Sequence, residues 1–231
     1  MRVAIIENME MTHHGQVGVA LNEAAVQIDV YRPWRDGILP EAADHDALVS
    51  FGGAQAALDD GDYPYLPRLA DLMATKAALN HAVLGICLGS QVLARGLGAR
   101  NLIGGHVEFG WVPLHLTQAA ATDAVLGQLP AEFASFEWHS DHFTLPPGSV
   151  HLAKTATAPV QCFRAHRAAY GMQFHFEANR AVVADWTRSF PEAAEALLPG
   201  WGQRHAARAA TEGVAADAFG LTIARNWVAL I

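Results

Sequence analysis

The sequence predicts an α/β fold: a mostly parallel central sheet between layers of helix, with added antiparallel strands and a C-terminal helical extension. Three features predict it. Short apolar runs alternate with amphipathic stretches from residue 3 to residue 97, the order that builds parallel strands joined by crossover helices. Between residues 106 and 174, strand-like runs follow one another across short connections, which suits hairpins. From residue 178 onward the apolar spacing is almost wholly helical.

In chain order, residues 3–6 read as a short buried strand closed by the polar loop 7–14. Val17, Ala20, Leu21, Ala24 and Ala25 recur at helical spacing and predict a helix over 15–26. Residues 27–31 are strand-like, and Arg32-Pro33-Trp34 ends them. Residues 47–51 read as another buried strand, followed by Gly52-Gly53. Leu66, Leu69, Leu72, Met73 and Leu79 mark a helix that leads into the apolar run at 82–86, and a further helix is expected over 90–97. Strand candidates then lie at 106–117, 134–138, 150–155, 160–164 and 169–174, with a short helix over 122–129 closed by Pro130. The helical tail breaks near Pro191 and Pro199-Gly200. Its packing faces include Trp186, Phe190, Ile223, Trp227 and Leu230.

A chain of 231 residues with 52% hydrophobic and 16% charged residues can bury a full core and is globular in composition. The net charge of −8, with 15 basic residues that form no dense run, speaks against a nucleic-acid partner. No apolar stretch approaches the roughly 18 residues that a membrane span needs. No signal peptide is expected, since Met1-Arg2 leads straight into the first strand. Cys87 and Cys162 are too few for a disulfide framework, and a reducing cytoplasmic setting is expected.

The chemistry centres on Gly85-Ile86-Cys87-Leu88-Gly89-Ser90-Gln91. An apolar strand stops at a cysteine, and a glycine two residues away on each side permits a sharp turn into a helix. The thiol then faces the partial positive charge of a helix N-terminus, which favours thiolate. This is the cysteine form of the strained corner that presents a nucleophile above a parallel sheet. Free cysteine is also among the most buried residue types, so the corner needs a base before it means more. Gly171-Met172-Gln173-Phe174-His175-Phe176-Glu177 supplies one. His175 closes an apolar run, and Glu177, two residues on, leaves the strand end on the same side. The carboxylate can fix the imidazole tautomer whose other nitrogen faces the thiol.

The two motifs, in this order and context, resemble those of the class I (triad) glutamine amidotransferases, over roughly residues 3–180. The resemblance is nearest to stand-alone proteins similar to the amidotransferase domain of GMP synthase. Gly105-His106-Val107-Glu108-Phe109-Gly110-Trp111, Glu137-Trp138-His139-Ser140-Asp141 and the helical tail support that branch. It implies a flavodoxin-like three-layer sandwich over residues 1–180, with residues 181–231 as a helical extension packed on the same domain. It implies Cys87, His175 and Glu177 as the catalytic set. The oxyanion donors would be the N–H groups of Leu88 and Gly53, and Gln91 would hold the substrate. Ser140 and Asp141 would reach the substrate's α-amino and α-carboxylate groups, although His139 and Asp141 equally suit bracing of their loop. Two positions depart from the family pattern. Phe176 stands where proline is usual, and Ala54 follows the Gly52-Gly53 pair where proline is usual.

The resemblance implies no cofactor. The 12 histidines raise a metal reading, with His139, Asp141, His142, His175 and Glu177 as a mixed set, but no metal is expected because no pair has the spacing of a zinc-protease helix. His13-His14 reads as a solvated loop near the sheet's C-terminal rim. Cys162, Trp34 and Trp111 read as packing residues. Three functions follow. One is a glutaminase-type amidotransferase that passes ammonia to a separate synthase chain, since no synthetase segment is visible after Glu177. Another is a hydrolase of a small γ-glutamyl compound. The third, against which the intact Cys87, His175 and Glu177 count, is a catalytically silent protein of the same fold.

Overall fold

The elements of the computed structural model, which describes residues 1–231, follow the alternation of the sequence. Strand β1 (Arg2–Ile6) is followed by α1 (Gly15–Glu23), β2 (Gln27–Tyr31), α2 (Pro33–Asp36) and β3 (Ala47–Ser50). Helix α3 (Tyr65–Ala78) leads to β4 (Ala82–Ile86), which passes directly into α4 (Leu88–Gly96). Next come β5 (Asn101–Leu102), β6 (Glu108–Leu116), a 3-10 turn at Gln118–Thr122, β7 (Glu132–His139), β8 (His142–Phe143), β9 (Val150–Lys154), β10 (Cys162–Ala165) and β11 (Ala169–Met172). Helices α5 (Arg180–Ser189), α6 (Pro191–Leu197) and α7 (Trp201–Val228) follow.

Nine strands form one mixed sheet in the order β2-β1-β3-β4-β11-β10-β9-β6-β7. The half from β2 to β11 is wholly parallel. The half from β11 to β7 is antiparallel. The pairing of β11 with β4 positions the site. Met172 lies opposite Ile86, and the Cys87 N–H donates to the Met172 carbonyl at 2.9 Å. The chain leaving β4 and the chain leaving β11 therefore emerge side by side at the C-terminal rim, where open α/β sheets collect ligands.

Both faces of the parallel half are buried, which is why its strands read as continuous apolar runs. Val3 and Ile5 of β1 face a core completed by Val17 and Leu21 of α1 and by Ile223 and Trp227 of α7. Ala4 and Ile6 face the opposite core, with Leu69 and Met73 of α3 and Leu93 of α4. A third cluster seats Val182 and Val183 of α5, Ala194 of α6 and Trp201 of α7 against Trp111 and Phe136 on β6 and β7. The breaks at Pro191 and Pro199-Gly200 fall where the sequence places them. No helix is long and apolar enough to cross a membrane.

Three local expectations are corrected. The helix over 122–129 does not form; the 3-10 turn ends at Thr122 instead. The Asp123 carboxylate accepts from the N–H groups of Val125 (2.9 Å) and Leu126 (3.2 Å), a side-chain turn that competes with helix. Strand β11 stops at Met172, not at 174, because the next N–H groups donate elsewhere: Gln173 to the Gln161 carbonyl and His175 to that of Phe136, both at 2.8 Å. Helix α4 starts at Leu88 rather than Ser90, so Cys87 itself is the N-cap residue.

Candidate active site

Cys87 has φ +51° and ψ −113°, a conformation that L-residues rarely adopt. Its carbonyl accepts from the Ser90 N–H (2.9 Å), the Gln91 N–H (3.1 Å) and the Ser90 hydroxyl (2.6 Å). The flanking glycines answer to close approach rather than to torsion. A Cβ on Gly85 would lie 2.3 Å from the Gly89 oxygen, and one on Gly89 would lie 2.0 Å from the Ser50 oxygen. The corner can fold only if both positions lack side chains. The N–H groups that open α4 at Leu88 and Gly89 precede the first intrahelical bonds, and no side chain caps them.

The His175 Nδ1 donates to Glu177 Oε1 at 2.7 Å, which leaves Nε2 as the other working nitrogen. Cys87, His175 and Glu177 are all buried. Burial opposes a charge on the imidazole, but the Glu177 carboxylate and the adjoining Cys87 sulfur outweigh it and hold its pKa well above the ordinary histidine value. The cysteine and histidine side chains meet under Gly52. A Cβ there would lie 3.2 Å from His175 Cε1 and 3.9 Å from the Cys87 sulfur. The ring of Trp186 packs edge-on against the imidazole, with centroids 5.1 Å apart.

Gly53 abuts Leu88, since a Cβ on Gly53 would come within 2.9 Å of Leu88 Cδ2. The Gly53 N–H donates to no group of the protein. Cys87, His175, Glu177, Gly52 and Gly53 line one cavity of about 270 Å³. Gln91, Ser140 and Asp141 do not line it. They cluster beside it instead. The Gln91 amide donates to the Asp141 carbonyl and to Gln173 Oε1, both at 3.1 Å. Asp141 Oδ1 accepts from the Gly104 N–H at 2.7 Å and from the Ser140 hydroxyl at 3.3 Å. In this conformation Ser140 and Asp141 brace the loop before β6.

Sequence reasoning missed a buried cluster of Glu108, Glu137 and His139. His139 Nε2 lies 3.1 Å from Glu108 Oε2 and 3.4 Å from Glu137 Oε2, and the Gln161 amide donates to Glu108 at 2.6 Å. The His139 Nδ1 also meets an acceptor, the Asp141 carbonyl at 3.0 Å, so only the doubly protonated ring donates to both sides. Burial opposes that charge, yet the two carboxylates push the His139 pKa up to about 10. Burial raises the pKa of Glu137. These are the three residues whose ligand atoms lie close enough together to hold a metal; of the sequence's mixed set, only His139 belongs to them. Glu108 becomes a neighbour of His139 through the register of β6 on β7, in which the two pair, whereas Glu137 precedes His139 by two residues on β7 and so shares its face.

The solvated-loop reading of His13-His14 is corrected. His14 Nε2 pairs with Glu7 at 2.9 Å and its ring stacks on Phe51, while His13 pairs with Asp185 of α5 at 2.9 Å and lines the cavity. Trp111 is buried, Trp34 packs against the α3 core, and Cys162 is a buried free thiol whose pKa burial raises.

The glutamine amidotransferase class-I family model matches residues 19–182, and the chain belongs to that family. It is 30% identical over 145 residues to the glutamine amidotransferase-like protein YfeJ of Salmonella typhimurium, covering 62% of this chain and 61% of YfeJ. It is 30% identical over 139 residues to a Lactococcus lactis GMP synthase (glutamine-hydrolyzing), covering 58% of this chain and 25% of that one. The chain thus spans less than two thirds of the length of these relatives. A crystal structure of a glutamine amidotransferase from Methylobacillus flagellatus superposes with a TM-score of 0.84 at 26% identity, covering 100% of this chain and 95% of that one.

Proposed function

We propose that the protein hydrolyses the γ-carboxamide of glutamine, or of a related γ-glutamyl compound, through a thioester on Cys87. The observation that carries this reading is the union of a strained cysteine at an uncapped helix N-terminus with an imidazole beside it whose Nδ1 is tied to Glu177 at 2.7 Å. The Cys87 thiolate attacks the γ-carbonyl carbon, and the N–H groups of Leu88 and Gly53 receive the developing oxyanion. Protonated His175 gives its proton to the departing nitrogen as the carbon–nitrogen bond breaks. His175 then takes a proton from water, which attacks the thioester, and glutamate leaves with the Cys87 thiolate and protonated His175 restored. Glu177 keeps the imidazole in one tautomer and supports its charge. Gln91, Ser140 and Asp141 are assigned to the glutamyl end in this reading.

In this reading ammonia is passed to a separate synthase chain. Several relatives are named as single subunits of a glutamine-hydrolyzing GMP synthase, among them one from Thermoplasma acidophilum at 35% identity over 134 residues. Those names support an arrangement in which the synthase is a second chain. Glutamate release from glutamine by the purified protein tests the proposal. Cys87→Ala is expected to remove at least about 10³-fold of the turnover without altering the circular dichroism spectrum. Activity surviving that change would refute the assignment of the nucleophile.

A further inference from the structure

The cavity beside His175 has a volume of about 270 Å³ and a mostly apolar wall. Its wall is built by Met9, Met11, Phe51, Trp138, Trp186 and Phe190. Trp138 meets Trp186 and Phe190 edge-on, with centroids 6.0 and 6.1 Å apart, so the aromatic surface is continuous. The group that protonates a leaving nitrogen must lie within hydrogen-bond reach of it. Whatever that nitrogen carries therefore projects into the space next to His175, which is this cavity. Apart from Cys87, His175 and Glu177, the one ionisable residue on the wall is His13, and it is engaged with Asp185. The wall offers no lysine or arginine for a carboxylate on the amine, and its single carboxylate is tied to His175.

We propose that the cavity receives the amine half of a γ-glutamyl amide whose nitrogen bears an uncharged aromatic or aliphatic hydrocarbon group. The inference rests on the hydrolysis proposed above and names its substrate class. The reaction consumes one water. The γ-carbon–nitrogen bond breaks, the nitrogen leaves as the neutral amine with the His175 proton, and water oxygen replaces sulfur on the γ-carbon to give glutamate. Removing the hydrocarbon group from water supplies binding that ammonia cannot give. The glutamyl end is assigned to the side of Gln91, Ser140 and Asp141, none of which belongs to the apolar wall.

The test compares kcat/KM for glutamate release from L-glutamine, γ-L-glutamylanilide and the γ-glutamyl derivative of γ-aminobutyrate. The anilide is expected to exceed both others by about tenfold or more. Ala193 is an exposed residue of α6 on the rim of the cavity. Ala193→Trp, which narrows that rim, is expected to lower the anilide-to-glutamine ratio by about tenfold or more. Glutamine or the charged amide matching the anilide would overturn the cavity assignment and leave hydrolysis at Cys87 standing, as would a ratio that Ala193→Trp does not change. Absence of glutamate from all three substrates, with no labelling of Cys87 by a glutamine-mimicking diazoketone, would overturn this inference together with the hydrolysis it rests on.

Discussion

Cys87 occupies a backbone conformation that costs about 1–3 kcal/mol, and the hydrogen bonds to its carbonyl and from its N–H hold it there. The imidazole of His175 opposite it is oriented by one hydrogen bond, to Glu177, and by the edge-on packing of Trp186. Glu177 gives one oxygen to His175 while its other oxygen is buried without a hydrogen bond, so its charge is directed almost wholly at the imidazole. Glu177→Gln keeps the shape and removes that charge. It should lower kcat by roughly 10²–10⁴-fold, read as a change in kcat with little change in thermal midpoint. His139 makes a different prediction. Its folded pKa of about 10 exceeds the ordinary value of 6.5, so between these values the folded state binds the extra proton. Stability is then fully supported below about pH 6.5 and lost as pH rises towards 10. Glu137, whose pKa burial raises, contributes with the same sign. The thermal midpoint should fall by several degrees between pH 6.5 and 10, and His139→Gln should flatten that slope.

At the scale of elements, the corner between β4 and α4 depends on two backbones in near contact. Gly89→Ala would place a methyl group 2.0 Å from the Ser50 carbonyl oxygen of β3, and neither backbone can retreat without parting the sheet from the helix. A loss of about 2–3 kcal/mol is expected, measured as a lower urea midpoint. The corner was legible because glycine, apolar run and cysteine are all local. Helix α2, β5 and β8, each four residues or fewer, were not, because so short an element shows no periodicity. The misplaced helix after β6 has a comparable origin. Asp123 looks like any helix-compatible residue until its carboxylate is seen to bond Val125, Leu126, Arg164 and Tyr170.

For the whole molecule, the C-terminal helices belong to both the core and the cavity. Trp227 of α7 is fully buried in the core that contains β1 and β4, and Trp186 and Phe190 form part of the wall beside His175. Trp227→Ala should cost about 3–5 kcal/mol, seen in denaturant titration. Its effect on turnover should follow the folded fraction, since the residue lies outside the cavity. Trp186→Ala should behave in the opposite way, with a larger effect on kcat/KM than on stability.

The α/β class, the apolar strands, the Gly-x-Cys-x-Gly corner and the His175–Glu177 pair could all be read from the residues alone, because each is written in positions close together along the chain. Folding in three dimensions was needed to set β11 parallel to β4, which brings Cys87 and His175 together across 88 positions of sequence. It was needed as well to set Glu108 against His139, and to wall the cavity with α5 and α6. Strand order, register and helix docking are set by the joint burial of many distant side chains. No local stretch records that sum.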